Sequence, residues 1–452
     1  MRLLDRSRLE TLLHMEEERF HVEHPASYAL FQRACQSMQG GVPMLWMIRW
    51  AGTFPIFVKE ARGAYFTDVD GKSYIDFCLG DTGAMTGHAP DATLAAINAQ
   101  AARGITLMLP TEDAIWVAEE LQRRFGLKYW QFTLTATDAN RFSIRMARHI
   151  TGRPKILVYN YCYHGSVDET FISMDEEGTP GPRRGNLGPP VDPADTTKVI
   201  EFNDLGALET ALSAQDVACV LAEPVMTNIG IIHPDPGYHE ALRKITRRTG
   251  TLLIIDETHT ICAGPGGYTR EHGLQPDFLT CGKPLAGGVP AGVYGFTQAV
   301  ADAFWSGLVV DDSDVGGIGG TLAGNALSIA AMRATLEHVL TPKMYKRCNG
   351  LADRYEAGVQ DCIREFELPW IVKRLGFRVE YWFRASGPRN GGEANAAVDT
   401  GLDRYMHLFA LNRGILLTPF HNMALIASDT QEADVDLHTQ VFREAVSTLF
   451  GE

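Results

Sequence analysis

Four segments constrain the fold of this chain more than any others: KILVYN (155–160), TKVIEFN (197–203), ACVLAEP (218–224) and TLLIIDE (251–257). Each is close to continuous in apolar residues, the pattern of strands buried on both faces of a mostly parallel sheet. Helix-periodic stretches lie between and around them, DANRFSIRMARHITG (138–152), LGALETALSAQ (205–215) and PGYHEALRKITRRTG (236–250). Strands and helices in alternation predict an α/β domain. The end of the chain has a different texture. Segments near 329–365 and 433–449 look helical, and RVEYWFRA (378–385) and HNMALIAS (421–428) look like strands, which suggests a smaller α+β lobe. GAYFTDVDGKSYIDFC (63–78) places a DG turn between alternating runs and reads as a hairpin. MDEEGTPGPRRGNLGPPVDPADTT (174–197) is rich in Pro and Gly and reads as a long loop bordering a site. At 452 residues the chain exceeds what one core usually holds. The reading is an N-terminal arm and hairpin (1–75) belonging to the small lobe, a large α/β domain (76–328) and a C-terminal small domain (329–452).

Charge and composition narrow the function. The formal net charge of −14 argues against nucleic acid or an anionic membrane as the main partner. No apolar run approaches the length of a membrane span. The N-terminus, MRLLDRSRLETLLHMEEERF, is too charged for the apolar core of a signal peptide and reads as an amphipathic helix. Eight cysteines are scattered without a CxxC pair or zinc-like spacing, so thiols in a reducing cytoplasm are expected and no metal site.

Ligands in open parallel sheets bind at the carboxyl ends of the strands. Asp256, in LLIIDETHT (252–260), stands at such an end, as does Glu223 in AEPV. A lone lysine, Lys283, follows within the glycine-rich TCGKPLAGGVPAG (280–292). TATDANRF (135–142) opens a helix with small hydroxyl residues, so Thr135, Ala136 and Thr137 can present N–H groups and hydroxyls to a phosphate, aided by the helix dipole. YCYHG (161–165) sets an aromatic and a histidine after a strand, and GGTLAGN (319–325) sets a threonine ahead of an apolar helix. Taken singly, each is also what an ordinary strand end or helix cap looks like.

Together and in this order, these elements resemble the class III aminotransferases of the fold-type I pyridoxal phosphate enzymes, the glutamate semialdehyde aminomutase branch above all. The resemblance runs from about Gly63 to the C-terminus. It implies a large domain with a mostly parallel seven-stranded sheet between helices and a smaller α+β domain. By position it implies that Lys283 forms the Schiff base with the cofactor, Asp256 pairs with the pyridinium nitrogen and Tyr163 stacks on the ring. Thr135, Ala136 and Thr137 match the phosphate cradle, and Glu223, Thr258 and His259 fall among the cofactor contacts. Thr321 matches the threonine that reaches the phosphate of a neighbouring subunit's cofactor, which implies a homodimer with shared sites. The chain departs from the family pattern in places. Thr135-Ala136-Thr137-Asp138 replaces Ser-Gly-Thr-Glu, Thr258 replaces an aliphatic residue under the ring, and His259 stands where glutamine is frequent. A histidine there titrates near neutrality and can act as acid, base or hydrogen-bond donor.

For substrate, the resemblance places Arg49, in MLWMIRWAGTFP, where an N-terminal arginine binds a carboxylate. Its neighbours Trp46, Met47, Ile48 and Trp50 predict a buried setting. Asp81 in LGDTGAMTGHAP and His421 and Asn422 in LLTPFHNMALIA fall near the expected substrate pocket. No second arginine is seen in that last segment, which favours a substrate with a single anionic group. The reading is transamination between such an amino compound and a keto acid, with a lyase or aminomutase on a hydroxyamine or aminophosphonate as the alternative. A noncatalytic role fits poorly with an intact lysine–aspartate pair.

Overall fold

In a computed structural model, which describes residues 4–188, 191–306, 316–419 and 421–451, the chain divides into two units. One contains Met1–Pro90, Lys343–Gly387 and Ala397–Glu452; the other contains Asp91–Pro342 and Pro388–Ala396.

The second unit is built on a seven-stranded sheet. Its strands are β1 (Tyr129–Thr133), β2 (Lys155–Tyr159), β3 (Thr197–Ile200), β4 (Val217–Ala222), β5 (Leu252–Asp256), β6 (Phe278–Cys281) and β7 (Gly292–Phe296). Their spatial order is β1-β7-β6-β5-β4-β2-β3. Only β7 runs against the others, pairing antiparallel with both β6 and β1. The apolar runs become strands for the reason their composition suggests: every residue of β4 is buried, and Ile254 and Ile255 of β5 have no exposed surface. Helix α1 (Ala136–Thr151) follows β1 and packs Ala139, Ile144, Met146 and Ala147 into the same core as Ile156, Val158 and Leu221. It ends at Gly152, whose φ of +65° suits a residue without a Cβ. Helix α2 (Tyr238–Thr249) precedes β5 and is likewise stopped by a left-handed glycine, Gly250.

In the first unit the hairpin read from the DG turn forms, with Tyr65–Asp68 antiparallel to Ser73–Asp76. Val58–Arg62 adds at one edge, and Ile415–Leu416 adds parallel to Ser73–Asp76 at the other. A second, three-stranded sheet contains Ile371–Leu375, Arg378–Trp382 and Met423–Leu425, all antiparallel. The N-terminal helix Arg6–Glu23 is mostly polar and turns Leu9, Glu16 and Phe20 inward. Phe20 joins a cluster with Phe54, Phe66 and Tyr74.

Two expectations are corrected. The Pro- and Gly-rich stretch after 174 is not all loop: Ile172–Met174 pairs antiparallel with Pro180–Pro182, and Pro193–Thr196 forms one helical turn. A two-stranded ribbon leaves both edges open, so prolines cost it few ladder bonds. The helical stretch over 329–365 is not continuous either. Helix Ala326–Ala334 loosens into a π turn over Thr335–Val339, and a new helix, Pro342–Glu365, starts on proline, which lacks the N–H that continuation needs. Among the described residues no helix is long and apolar enough to cross a membrane.

Candidate active site

The carboxyl ends of β1, β2, β4, β5 and β6 deliver Thr135–Thr137, Tyr163–His164, Glu223, Asp256 and Lys283 respectively. Strand alternation separates the two acids that follow Ile255. Successive side chains point to opposite faces of a sheet, so Asp256 and Glu257 meet different surroundings. Glu257 is buried and receives Thr260 Oγ1 at 2.5 Å and the backbone N–H groups of Thr269 and Tyr268 at 2.5 and 3.1 Å. It ties the strand end to the next helix and is spoken for.

Asp256 is buried as well, at 3% exposure, in a different company. Its Oδ2 accepts from His164 Nδ1 and from Asn140 Nδ2, both at 2.9 Å, and its Oδ1 accepts from the N–H of Thr258 at 3.0 Å. Asn140 is itself held by Thr280 Oγ1 at 2.6 Å and donates to the His164 carbonyl at 3.0 Å. Burial alone would raise the carboxyl's pKa, but these donors and the facing imidazole outweigh it and hold Asp256 well below the usual range. For His164, burial opposes the charge, yet Cys162 and the Asp256 carboxylate prevail and the ring is held protonated. Asp256 is therefore a fixed anion at the head of the sheet.

Lys283 occupies the left-handed region at φ +49°, rare for a residue with a Cβ and a strained arrangement of the kind that collects at functional sites. Its Nζ contacts His259 Nε2, and His259 Nδ1 lies 2.7 Å from Thr227 Oγ1. Thr227 in turn hydrogen-bonds Glu223, which burial pushes up to about 7.

At the start of α1, Thr135 is the N-cap, its hydroxyl accepting from the N–H of Asp138 at 3.2 Å. Thr137 Oγ1 accepts from the N–H of Ser166 at 3.1 Å. The loops on either side come close: a Cβ at Gly165 would lie 2.0 Å from Thr137 Oγ1, and one at Gly282 would lie 3.0 Å from the Ala136 backbone nitrogen. The first N–H groups of a helix lack intrahelical partners, and here they sit in a cradle walled by glycines. Tyr163 is half-buried, edge-on to Phe171 with centroids 6.2 Å apart.

Not every predicted residue lies in this unit. Arg49, Asp81 and His421 belong to the first. Arg49 is exposed in the turn Leu45–Arg49, and Trp46, Met47 and Ile48 are 43, 37 and 49% exposed. The buried setting expected from its neighbours is thus not found: in this short turn the side chains of Arg49 and of residues 46–48 lie largely at the surface of the single chain. Asp81 has φ +47° and lies 3.8 Å from Arg378, a buried arginine that also hydrogen-bonds Thr82. His421 Nδ1 is 3.8 Å from Glu380, and Asn422 donates to Asp403 at 2.8 Å. Thr321 is exposed in the turn before helix Ala326–Ala334.

Sequence reasoning missed Asn140, Thr227, Thr280 and Arg378. Asn140 falls one turn after Ala136, which the helical period reveals, but its partners come from other strands. His164 stood in a quoted motif without receiving a role.

Pyridoxal phosphate presents an aldehyde, a ring nitrogen and a phosphate. The residues present fit it: an amine at Lys283, a permanent anion at Asp256 and the glycine-walled helix start at α1. Two buried polar atoms at the same strand ends, His164 Nε2 and Thr258 Oγ1, have no protein partner among the described residues. Groups left so inside a protein call for a ligand or water.

Comparison with known proteins agrees. Residues 46–427 match the family described as aminotransferase class-III. A glutamate-1-semialdehyde 2,1-aminomutase of Sorangium cellulosum is 32% identical over 94% of this chain and 96% of its own. Among solved structures, a lysine-to-alanine variant of a glutamate-1-semialdehyde-aminomutase from Pseudomonas aeruginosa PAO1, in complex with PMP, is 50% identical with a TM-score of 0.97, covering 99% of both chains. An omega-transaminase from Sphaerobacter thermophilus is 28% identical with a TM-score of 0.85, over 94% of this chain and 98% of that one. The chain belongs to the aminotransferase class-III family and is a pyridoxal phosphate enzyme of that family.

Proposed function

We propose that this chain moves an amino group on a small amine bearing a single anionic group, and does so within one substrate molecule, as an aminomutase. The observation that carries the amino-transfer reading is the pairing of a strained lysine with a buried, permanently ionised carboxylate at the ends of neighbouring strands. The intramolecular form is supported by likeness to proteins named as aminomutases, one of them 50% identical over 99% of the chain.

Pyridoxal phosphate, when bound, supplies an electron sink for the charge left on a deprotonated substrate carbon. The protein's own residues supply the rest. Lys283 would be the covalent attachment point and, as a free amine, the base that carries a proton between carbons. Asp256 holds the ring nitrogen's proton in place. The backbone N–H groups at the start of α1, with Thr135, Ala136 and Thr137, take the phosphate. Tyr163, Thr258, His259 and Glu223 would line the place of the cofactor's ring. Arg49 takes the substrate's anionic group, with Asp81 and His421 as further substrate contacts. The eight cysteines form no disulfide, in keeping with work in the cytoplasm.

The assembly in this reading is a homodimer, with Thr321 reaching the phosphate of the partner's cofactor. Exposed apolar side chains support it: Met44, Leu45 and Trp46 in one segment and Met108 and Leu109 in another, the last two 72% exposed each. Groups of this kind on a single chain mark surfaces that are covered by another.

Transamination with a keto acid is the second reading, favoured by the likeness to the omega-transaminase. One experiment separates them. With an amino aldehyde of the glutamate-1-semialdehyde type and no keto acid, an aminomutase turns over repeatedly and releases no ammonia. Stalling after one equivalent, relieved by added keto acid, would replace the mutase reading with transamination. Continuous ammonia release would indicate a lyase.

A further inference from the structure

The row of contacts that leads away from Lys283 does more than position it. Thr227 stands between a carboxyl and an imidazole. Its hydroxyl bonds Glu223 Oε2 and lies 2.7 Å from His259 Nδ1, while His259 Nε2 meets Lys283 Nζ. A hydroxyl has one proton and a neutral imidazole has one, so the direction of any bond in the row fixes the others. When Glu223 is a carboxylate, Thr227 donates to it, His259 Nδ1–H donates to Thr227, and Nε2 faces the lysine as an acceptor. When Glu223 is a carboxylic acid, each bond reverses and Nε2–H faces the lysine as a donor.

We propose that Glu223, Thr227 and His259 form a proton relay ending on Lys283, through which the lysine gives up its proton to Glu223 and recovers it. Glu223 and Thr227 act through His259 and are positioning residues. The transfer balances. The ammonium proton passes from Nζ to Nε2, the Nδ1 proton passes to Thr227 Oγ1, and the hydroxyl proton passes to Glu223 Oε2. Lys283 becomes neutral, Glu223 becomes neutral, and no bond between heavy atoms changes.

The setting lets both directions occur. Burial of Glu223 works against its charge, and the nearby Asp256 carboxylate adds to that. The His164 imidazolium and the Thr227 hydroxyl and N–H, the latter at 3.3 Å from Oε1, favour the anion. The balance holds Glu223 at about 7, so one proton more or less near neutrality reverses the row.

This inference rests on the reading of Lys283 as the proton carrier, and its test is independent of the reaction catalysed. Full-length protein freed of cofactor is labelled with limiting acetic anhydride across pH, and the half-point of Lys283 acetylation is read by mass spectrometry. With Glu223 anionic and connected, the lysine ammonium is favoured. Glu223→Gln removes that anion, and Thr227→Val, by taking the donor from a buried carboxyl, leaves it protonated. Both should lower the half-point by about one pH unit, whereas Thr227→Ser should restore the wild-type value. A half-point in Thr227→Val within about 0.2 unit of wild type, or an equal shift in Thr227→Val and Thr227→Ser, would overturn the relay. If Thr227→Val fails to fold, Glu223→Gln, which keeps size and hydrogen bonding, decides alone. A relay that passes while the holoenzyme transfers no amino group would leave this inference standing and remove the proposed function.

Discussion

Asp256 and Glu257 are adjacent carboxylates that the fold uses for unrelated purposes, and the difference lies in what each faces: burial pushes Glu257 up, whereas the donors around Asp256, His164 first, hold it down. Glu257 accepts from three donors that belong to the next helical turns. Asp256 accepts from His164, Asn140 and Thr258 and keeps its negative charge through them. Asp256→Asn keeps the size and loses the charge, so the rate of proton removal from substrate should fall on the order of 10²–10³-fold, as when a fixed electrostatic contact is deleted. Rapid-mixing measurement of the half-reaction checks this, and an unchanged rate would make the strand-end carboxylate structural. Lys283→Ala should abolish turnover by at least about 10³-fold while the fold persists, measured by steady-state assay beside circular dichroism. Glu223 makes a separate prediction about pH. Its folded-state value, about 7, stands above the ordinary 4.5, so between those values the folded chain holds a proton that the unfolded chain has lost. The stability this group contributes is full below that window and falls as pH rises through it, by up to about 3 kcal/mol. Glu223→Gln should flatten that decline. Urea unfolding at pH 5 and pH 8 reads it, and the variant should gain on wild type at the higher pH.

At the scale of elements, the site is a set of strand ends meeting one helix start. The apolar runs made β2 to β5 legible, because burial on both faces leaves a continuous signature that few other structures share. β7 was not read as a strand. Gly292 and Gly295 interrupt it for packing reasons that sequence does not display: a Cβ at Gly295 would lie 2.7 Å from the Trp130 ring. The same division holds in the site. Lys283, Asp256 and the start of α1 were visible as motifs, each confined to a few consecutive residues. Asn140, Thr227 and Thr280 were invisible, because what makes them matter is a contact across 24 to 140 positions. Arg49 misled for a related reason: apolar neighbours imply burial only if something is there to bury them. The cradle gives this scale its prediction. Gly165 has φ +81°, and a side chain there collides with Thr137. Gly165→Ala should push the loop from the helix start and weaken cofactor affinity by about 1–3 kcal/mol, the range for strain of this kind. Titration of cofactor-free protein measures it. Unchanged affinity would mean that the start of α1 does not hold the phosphate.

For the whole molecule, the proposed homodimer concerns the exposed apolar segments and the exposed Thr321. If Thr321 reaches the partner's cofactor, cofactor and dimer stabilise one another by mass action. Thr321→Val deletes one donor to a charged group, so cofactor affinity should drop by about 1–3 kcal/mol and the dimer should dissociate at higher concentration. Sedimentation over a dilution series, with and without cofactor, reads both. The central claim, that Lys283 is the residue to which pyridoxal phosphate attaches, has a more direct test. The purified holoenzyme should absorb near roughly 410–430 nm, and borohydride should abolish the band. Peptide mass spectrometry after reduction should then find the pyridoxyl group on Lys283 and on no other lysine. A reduced protein with Lys283 unmodified, or with the label on another residue, would contradict the account.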